Sequence, residues 1–99
     1  TGIDIGQSKG APVRASNGGT VTFTGRRGGY GNLVIINHGG GIETYYAHNS
    51  SITASVGQQV EKGQQIATVG STGRSSGSHV HFEIRVNGSA VNPLNYLNK

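Results

Sequence analysis

Between Ser78 and Val86 the chain alternates without a break. Val80, Phe82, Ile84 and Val86 fall on one parity, and His79, His81, Glu83 and Arg85 on the other. Successive side chains of a strand point to opposite faces, so this pattern calls for a strand with one apolar and one polar face. Two of the chain's four histidines therefore stand side by side on the polar face, roughly 6–7 Å apart at a rise of about 3.3 Å per residue. That spacing lets both rings reach one metal ion or one reacting group.

The rest of the chain reads as further short strands punctuated by glycine. Ile3-Asp4-Ile5 alternates; Ala11 to Ala15 and Thr20 to Thr24 are bounded by Gly10, Gly18, Gly19 and Gly25. Asn32 to His38 and Ile42 to His48 flank Gly39-Gly40-Gly41, which predicts a hairpin. Val56 to Val60 and Gln65 to Val69 follow, with turns at Gly57 and Gly63, and then a Gly/Ser-rich loop from Gly70 to Ser78. Pro93 marks a turn or the first position of a short helix within Val91 to Leu97. No segment keeps a helical period over eleven residues. The expected fold is all-β, mostly antiparallel, with short strands and glycine-rich loops in a single domain over residues 1–99.

Ninety-nine residues suffice for one core without staples, and the absence of cysteine excludes disulfides, zinc ribbons and a thiol nucleophile. No apolar run reaches the roughly 18–20 residues that span a bilayer, and no basic stretch precedes an apolar one as in a signal peptide. Because Thr1 is not an initiator methionine, the chain is expected to be a piece of a longer protein. A net charge of +4 and a pI near 9.9 favour polyanionic partners. The eight basic residues are scattered and no aromatic-and-basic cluster accompanies them, so nucleic acid is not the expected partner. An anionic cell envelope fits the charge equally well.

Four places carry chemistry. A hairpin turning at the three glycines would put His38 near Ile42 and His48 near Asn32, about 20 Å apart along the ladder, too far to serve one site. His38 then reads as a solvated or backbone-bonded turn residue, and His48 as a strand-end residue at a loop rim. A His-x-His pair on a strand, here His79 and His81, is one route to zinc chelation, the bland alternative being two partly exposed rings on a polar face. Asp4, between Ile3 and Ile5, needs a cation or backbone N–H groups as partner. Glu83 shares the histidine face, where it would orient an imidazole through its second nitrogen or pair with a nearby arginine.

Taken together, several stretches resemble the lysostaphin-type (LytM-type) zinc metallopeptidases that cut peptidoglycan. They are Thr1 to Gly6, Ile42 to His48, Gly70 to Gly77, Ser78 to Arg85 and Asn92-Pro93. The resemblance implies zinc as cofactor, with Asp4 and His81 as ligands, His48 and His79 as catalytic histidines, and Tyr46 as a side chain supporting substrate or transition state. It further implies hydrolysis of peptide bonds in cross-bridges or stem peptides by a zinc-activated water, in a secreted, cell-wall-associated protein. One of His48 and His79 would take the proton of that water, and the other would hydrogen-bond the developing oxyanion.

The family's third ligand, the histidine of His-x-x-x-Asp, would fall immediately before Thr1, so two ligands stand where a catalytic zinc site has three. Survival of the other four positions points to an active parent whose chain continues in front of Thr1. The competing expectation is a metal-free domain of the same fold that binds cell wall or activates a partner hydrolase. A third possibility starts from Val56-Gly57-x-x-Val60-x-x-Gly63-x-x-Ile66, which resembles half of a biotinyl- or lipoyl-carrier barrel. It founders on Lys62, which lies beside Gly63 in a plain turn signal rather than in a carrier's lysine motif.

Overall fold

The computed structural model describes residues 2–71 and 79–93, without the side chains of Ile3, Asp4 and His79. Among these residues the strands are β1 (Ile3–Gly6), β2 (Pro12–Arg14), β3 (Gly19–Arg26), β4 (Asn32–Gly39), β5 (Ile42–Ile52), β6 (Gln59–Val60), β7 (Gln65–Val69), β8 (His79–Val86) and β9 (Ser89–Val91). A single 3-10 turn, Gly28–Tyr30, is the one helical element among them. All the strand pairings are antiparallel, so the all-β, antiparallel expectation holds. The main path runs β1-β8-β5-β4-β3-β6, with β9 added to β8 and β2 to β7.

Strand β5 is the pivot. Along one edge it pairs with β4; along the other it pairs with β8 as far as Ala47 and with β7 from Asn49 onward. The β4–β5 hairpin closes Gly39 against Ile42. Its tip, Gly40 and Gly41, has φ of 62° and 80°, the left-handed pair that a tight hairpin turn demands and that glycine adopts without strain.

The apolar parity of β8 goes where the alternation sends it. Val80, Phe82 and Ile84 pack with Val34 and Ile36 of β4, with Tyr46, and with Val13, Ile66 and Val69 from the β2–β7 side. Each such residue contributes about 1.5–3 kcal/mol on full burial. The opposite face is not simply solvated. Leu33, Ile35 and Ala47 form a second buried cluster there, capped by Phe23, Tyr30 and Tyr45.

Several boundaries differ from the sequence expectation. Val56 is 62% exposed and Gly57 sits at φ 90°, so the segment Val56 to Val60 turns first and pairs only at Gln59–Val60. The Ala11 to Ala15 strand contracts to Pro12–Arg14, and β3 lengthens at both ends. Strand β9 was not foreseen, although Asn87-Gly88, at φ 52° and 84°, is a hairpin signal. Most of the Gly70 to Ser78 loop and the residues after Pro93 lie outside the described residues. No helix among the described residues is long and apolar enough to cross a membrane.

Candidate metal centre

Strand register assembles the site. The β1–β8 ladder aligns Ile3 with Phe82, Asp4 with His81, Ile5 with Val80 and Gly6 with His79. Directly opposed Cα atoms of an antiparallel pair lie about 4.5–5.5 Å apart, so Asp4 and His81 occupy adjacent positions across the ladder. On the other side of β8, Ala47 stands opposite His81. The ring of His81 lies over the backbone of Gly2. A Cβ at Gly2 would come within 2.6 Å of His81 Cε1 and Nε2 and of the Phe82 carbonyl oxygen. Only glycine leaves that ring its place.

His48 reaches the same region by an irregularity. Residues 42, 44 and 46 of β5 share one parity; Tyr46 of this set points into the main core, whereas Ala47 and Tyr45 point to the His81 side. Regular alternation would send His48 with Tyr46, away from His81. Between the pairs Val34–Tyr46 and Asn32–Asn49, however, β5 carries one residue more than β4. This is a bulge, which re-aims side chains next to it. His48 within it takes φ 65°, and its ring centroid comes to 6.1 Å from that of His81. The ring is buried, only 6% exposed. His48 therefore lies inside an eleven-residue strand, at the point where β5 changes partner, and not at a strand end as expected.

Glu83 does both of the things the sequence allowed. Its Oε2 lies 2.9 Å from His81 Nε2, and its Oε1 accepts from Arg85 Nη2 at 2.9 Å, Arg85 Nε at 3.2 Å and the Tyr30 hydroxyl at 3.3 Å. Burial alone would raise this carboxyl, but the hydrogen bonds from His81, Arg85 and Tyr30 outweigh it and hold Glu83 below its ordinary value. Burial, and then the adjacent Glu83 charge, push the Tyr30 phenol up, while the bond to Glu83 raises Arg85 further. A carboxylate only accepts, so His81 Nε2 must carry the proton of this bond. A neutral ring then holds its lone pair on Nδ1.

Aromatic and cationic groups wall this face. Tyr30 packs 5.9 Å from Tyr45 and 6.4 Å from His81, and the Arg85 guanidinium sits 4.6 Å over Tyr45. Arg27 lies 4.1 Å over Phe23. Tyr30 was missed in the sequence; an aromatic amid Gly28, Gly29 and Gly31 was the available sign, since a bare turn has no use for a ring.

Tyr46 and His38 belong elsewhere. Tyr46 is 3% exposed on the core face, stacked against Phe82, with ring centroids 5.4 Å apart. Its hydroxyl accepts from the Ser16 backbone N–H at 3.0 Å and meets Thr44 Oγ1 at 2.7 Å. Thr44 Oγ1 in turn meets His38 Nε2 at 2.7 Å, and His38 Nδ1 donates to the Gly18 carbonyl at 2.7 Å. The tyrosine expected at the substrate thus anchors an internal hydrogen-bond chain, and the structure does not bring it to the His81 side. His38 is backbone-bonded, as one expectation had it, though within β4 rather than in the turn. A cavity of about 290 Å³ also opens on this other face, between Val13, Ser16, Tyr46, Val80 and Phe82. None of His38, His48 and His81 lines it.

The donor chemistry suits zinc. Zinc takes imidazole nitrogen and carboxylate oxygen, and a ligating imidazole almost always gives its other N–H to a carboxylate or carbonyl. His81, backed by Glu83 and opposed to Asp4, fits that pattern. Among the described side chains no group of three His, Cys, Asp or Glu could hold an ion, and Asp4 and His79 are not in that set.

The curled antiparallel sheet and its histidine cluster define a lysostaphin-like peptidase domain. The catalytic domain of lysostaphin from Staphylococcus simulans matches 99% of this chain and 78% of its own length, with a TM-score of 0.94 and 33% identity. A zinc-containing peptidase from Vibrio cholerae matches with a TM-score of 0.87 and 38% identity, over 91% of this chain and 28% of that one. Residues 1–93 match Peptidase family M23, and the chain belongs to that family. Among curated relatives, the DD-carboxypeptidase/endopeptidase Mpg of Neisseria meningitidis is 54% identical over 94 residues, 95% of this chain and 22% of that protein. The murein hydrolase activator NlpD of Escherichia coli is 50% identical over 97 residues, 97% of this chain and 25% of that protein. The chain thus spans about a quarter of the length of these relatives.

Proposed function

We propose that this chain is the catalytic domain of a zinc metalloendopeptidase that hydrolyses peptide bonds in peptidoglycan, at the cell envelope. The observation that carries the reading is the convergence at His81. Asp4 faces it across one ladder, Glu83 holds its Nε2, and a bulge turns His48 toward it. Family membership and the relation to Mpg support a hydrolase of the cell wall.

In this reading Asp4 and His81 Nδ1 would hold zinc, with a histidine in front of Thr1 as third ligand. Zinc supplies Lewis acidity, which activates water and polarises the scissile carbonyl. Glu83 fixes the ring orientation and proton position of His81. His48 and His79 divide the remaining work, one accepting a proton and the other donating a hydrogen bond to the developing oxyanion. The Tyr30, Tyr45 and Phe23 rings, with Arg27, would line the path of an extended peptide.

The 50% identity to NlpD favours a second reading, a metal-free domain that activates a partner hydrolase. The test is zinc content and peptidoglycan lysis of the chain with and without one histidine added before Thr1. Stoichiometric zinc and lysis abolished by His48→Ala or His79→Ala would support the enzyme. Metal-free, inactive protein in both forms would support the activator.

A further inference from the structure

The bulge that turns His48 is not free-standing; a buried side chain closes it. Asn49 is fully buried. Its Nδ2 donates to the Asn32 carbonyl at 2.9 Å and to the Tyr46 carbonyl at 2.9 Å, and Asn32 Nδ2 donates back to the Asn49 carbonyl at 3.0 Å. Asn32 and Tyr46 mark the two limits of the interrupted β4–β5 ladder, since Asn32 pairs with Asn49 and Tyr46 with Val34. A bulge breaks the ladder locally, and buried carbonyls at such a break need donors from elsewhere. One amide nitrogen with two hydrogens serves both. No hydroxyl could, having a single proton, and no apolar residue could at all.

We infer that Asn49 is a positioning residue: its side-chain amide fixes the bulge that carries the His48 ring across the sheet to the His81 side. Without the clamp β5 would relax toward regular alternation, which points residue 48 to the Tyr46 face. The φ of 65° at His48 gives that relaxation a direction, because a residue with a Cβ leaves the left-handed region when it is not held there. The inference deepens the proposed role of His48 and rests on that role for its effect on turnover, but not for its effect on geometry.

The experiment uses Asn49→Leu, similar in size and without donors, in the complete protein. Proton NMR should lose the cross-peaks between the His48 and His81 rings. Turnover of a peptidoglycan fragment should fall toward that of His48→Ala, about 10²–10⁴-fold at nearly unchanged KM, the scale of losing a positioned acid–base group. In a His48→Ala background, Asn49→Leu should cause no further loss, since the two act as one unit. Asn32→Ala, which removes the reciprocal bond and leaves the Asn49 amide in place, should give a smaller loss in kcat alone and serves if the leucine variant does not fold. Intact ring cross-peaks in both variants, or a full additional loss in the His48→Ala background, would overturn the inference. Full activity of His48→Ala itself would instead refute the role proposed for His48, and the ring cross-peaks would still decide the geometry.

Discussion

Replacing His48 by glycine and by alanine separates backbone strain from side-chain chemistry. His48 sits at φ 65° and is 6% exposed. Both variants delete the same ring with its contacts to His81, so the difference between them reports the backbone alone. A left-handed conformation costs an L-residue roughly 1–2 kcal/mol, which glycine does not incur. Glycine's greater freedom in the unfolded chain takes back roughly 0.5–1 kcal/mol. His48→Gly should therefore be more stable than His48→Ala by about 0.5–1 kcal/mol, the reverse of the order inside a regular strand. At about 4–8 °C per kcal/mol for a domain of this size, the melting temperatures should differ by a few degrees. Urea unfolding and thermal melts of the metal-free variants measure this directly. An alanine variant as stable as the glycine one, or more so, would mean that residue 48 does not occupy the left-handed region, and the bulge argument would fall with it.

Other perturbations address the remaining parts of the site. Gly2→Ala drives a Cβ against the His81 ring and the Phe82 carbonyl, so zinc affinity in chelator competition should drop. An unchanged affinity would show that the ring does not need that gap. Glu83→Gln removes the anionic partner of His81 Nε2 and should weaken zinc about 10–100-fold, again by chelator competition, with loss of the Nε2–H tautomer in ¹⁵N NMR of the metal-free protein. Tyr46→Phe strips a hydroxyl from the Ser16–Thr44 chain and should cost about 1–3 kcal/mol in urea unfolding, with kcat and KM of the folded protein unchanged. A selective rise in KM would return Tyr46 to the substrate. Because Glu83 is held below its ordinary value in the fold, its contribution is complete above the unfolded carboxyl pKa of about 4.3 and is lost as pH falls through the lower folded value. The stability gap between the parent and Glu83→Gln should thus be constant near neutrality and shrink in acid; a gap that widened in acid would reverse the sign.

How far the sequence could be read follows from which features are periodic. The β8 alternation and the Gly40-Gly41 tip specify a strand and a hairpin locally, so the polarity of each face and the β4–β5 register, within a residue, could be read without coordinates. The relation of Asp4 to His81 could not. It depends on two residues 77 positions apart in the sequence coming into register, and only the resemblance to a known family supplied it. His48 and Tyr46 show the opposite failure. Strict period two assigns both to one face, and reading them together as site residues required that the strand be regular or that both be moved. One extra residue in β5 moves His48 and leaves Tyr46 behind. A bulge has no period, so no count of alternation finds it. What betrays it is chemical: an Asn at the buried position just past the break, where the strand pattern asks for an apolar residue. Glu83 keeps the polar parity of β8, yet it is buried on the face that Leu33, Ile35 and Ala47 share, which alternation alone does not announce. At Asn49 a polar residue where the pattern calls for an apolar one marks where this sheet gives up regularity to hold an imidazole in place.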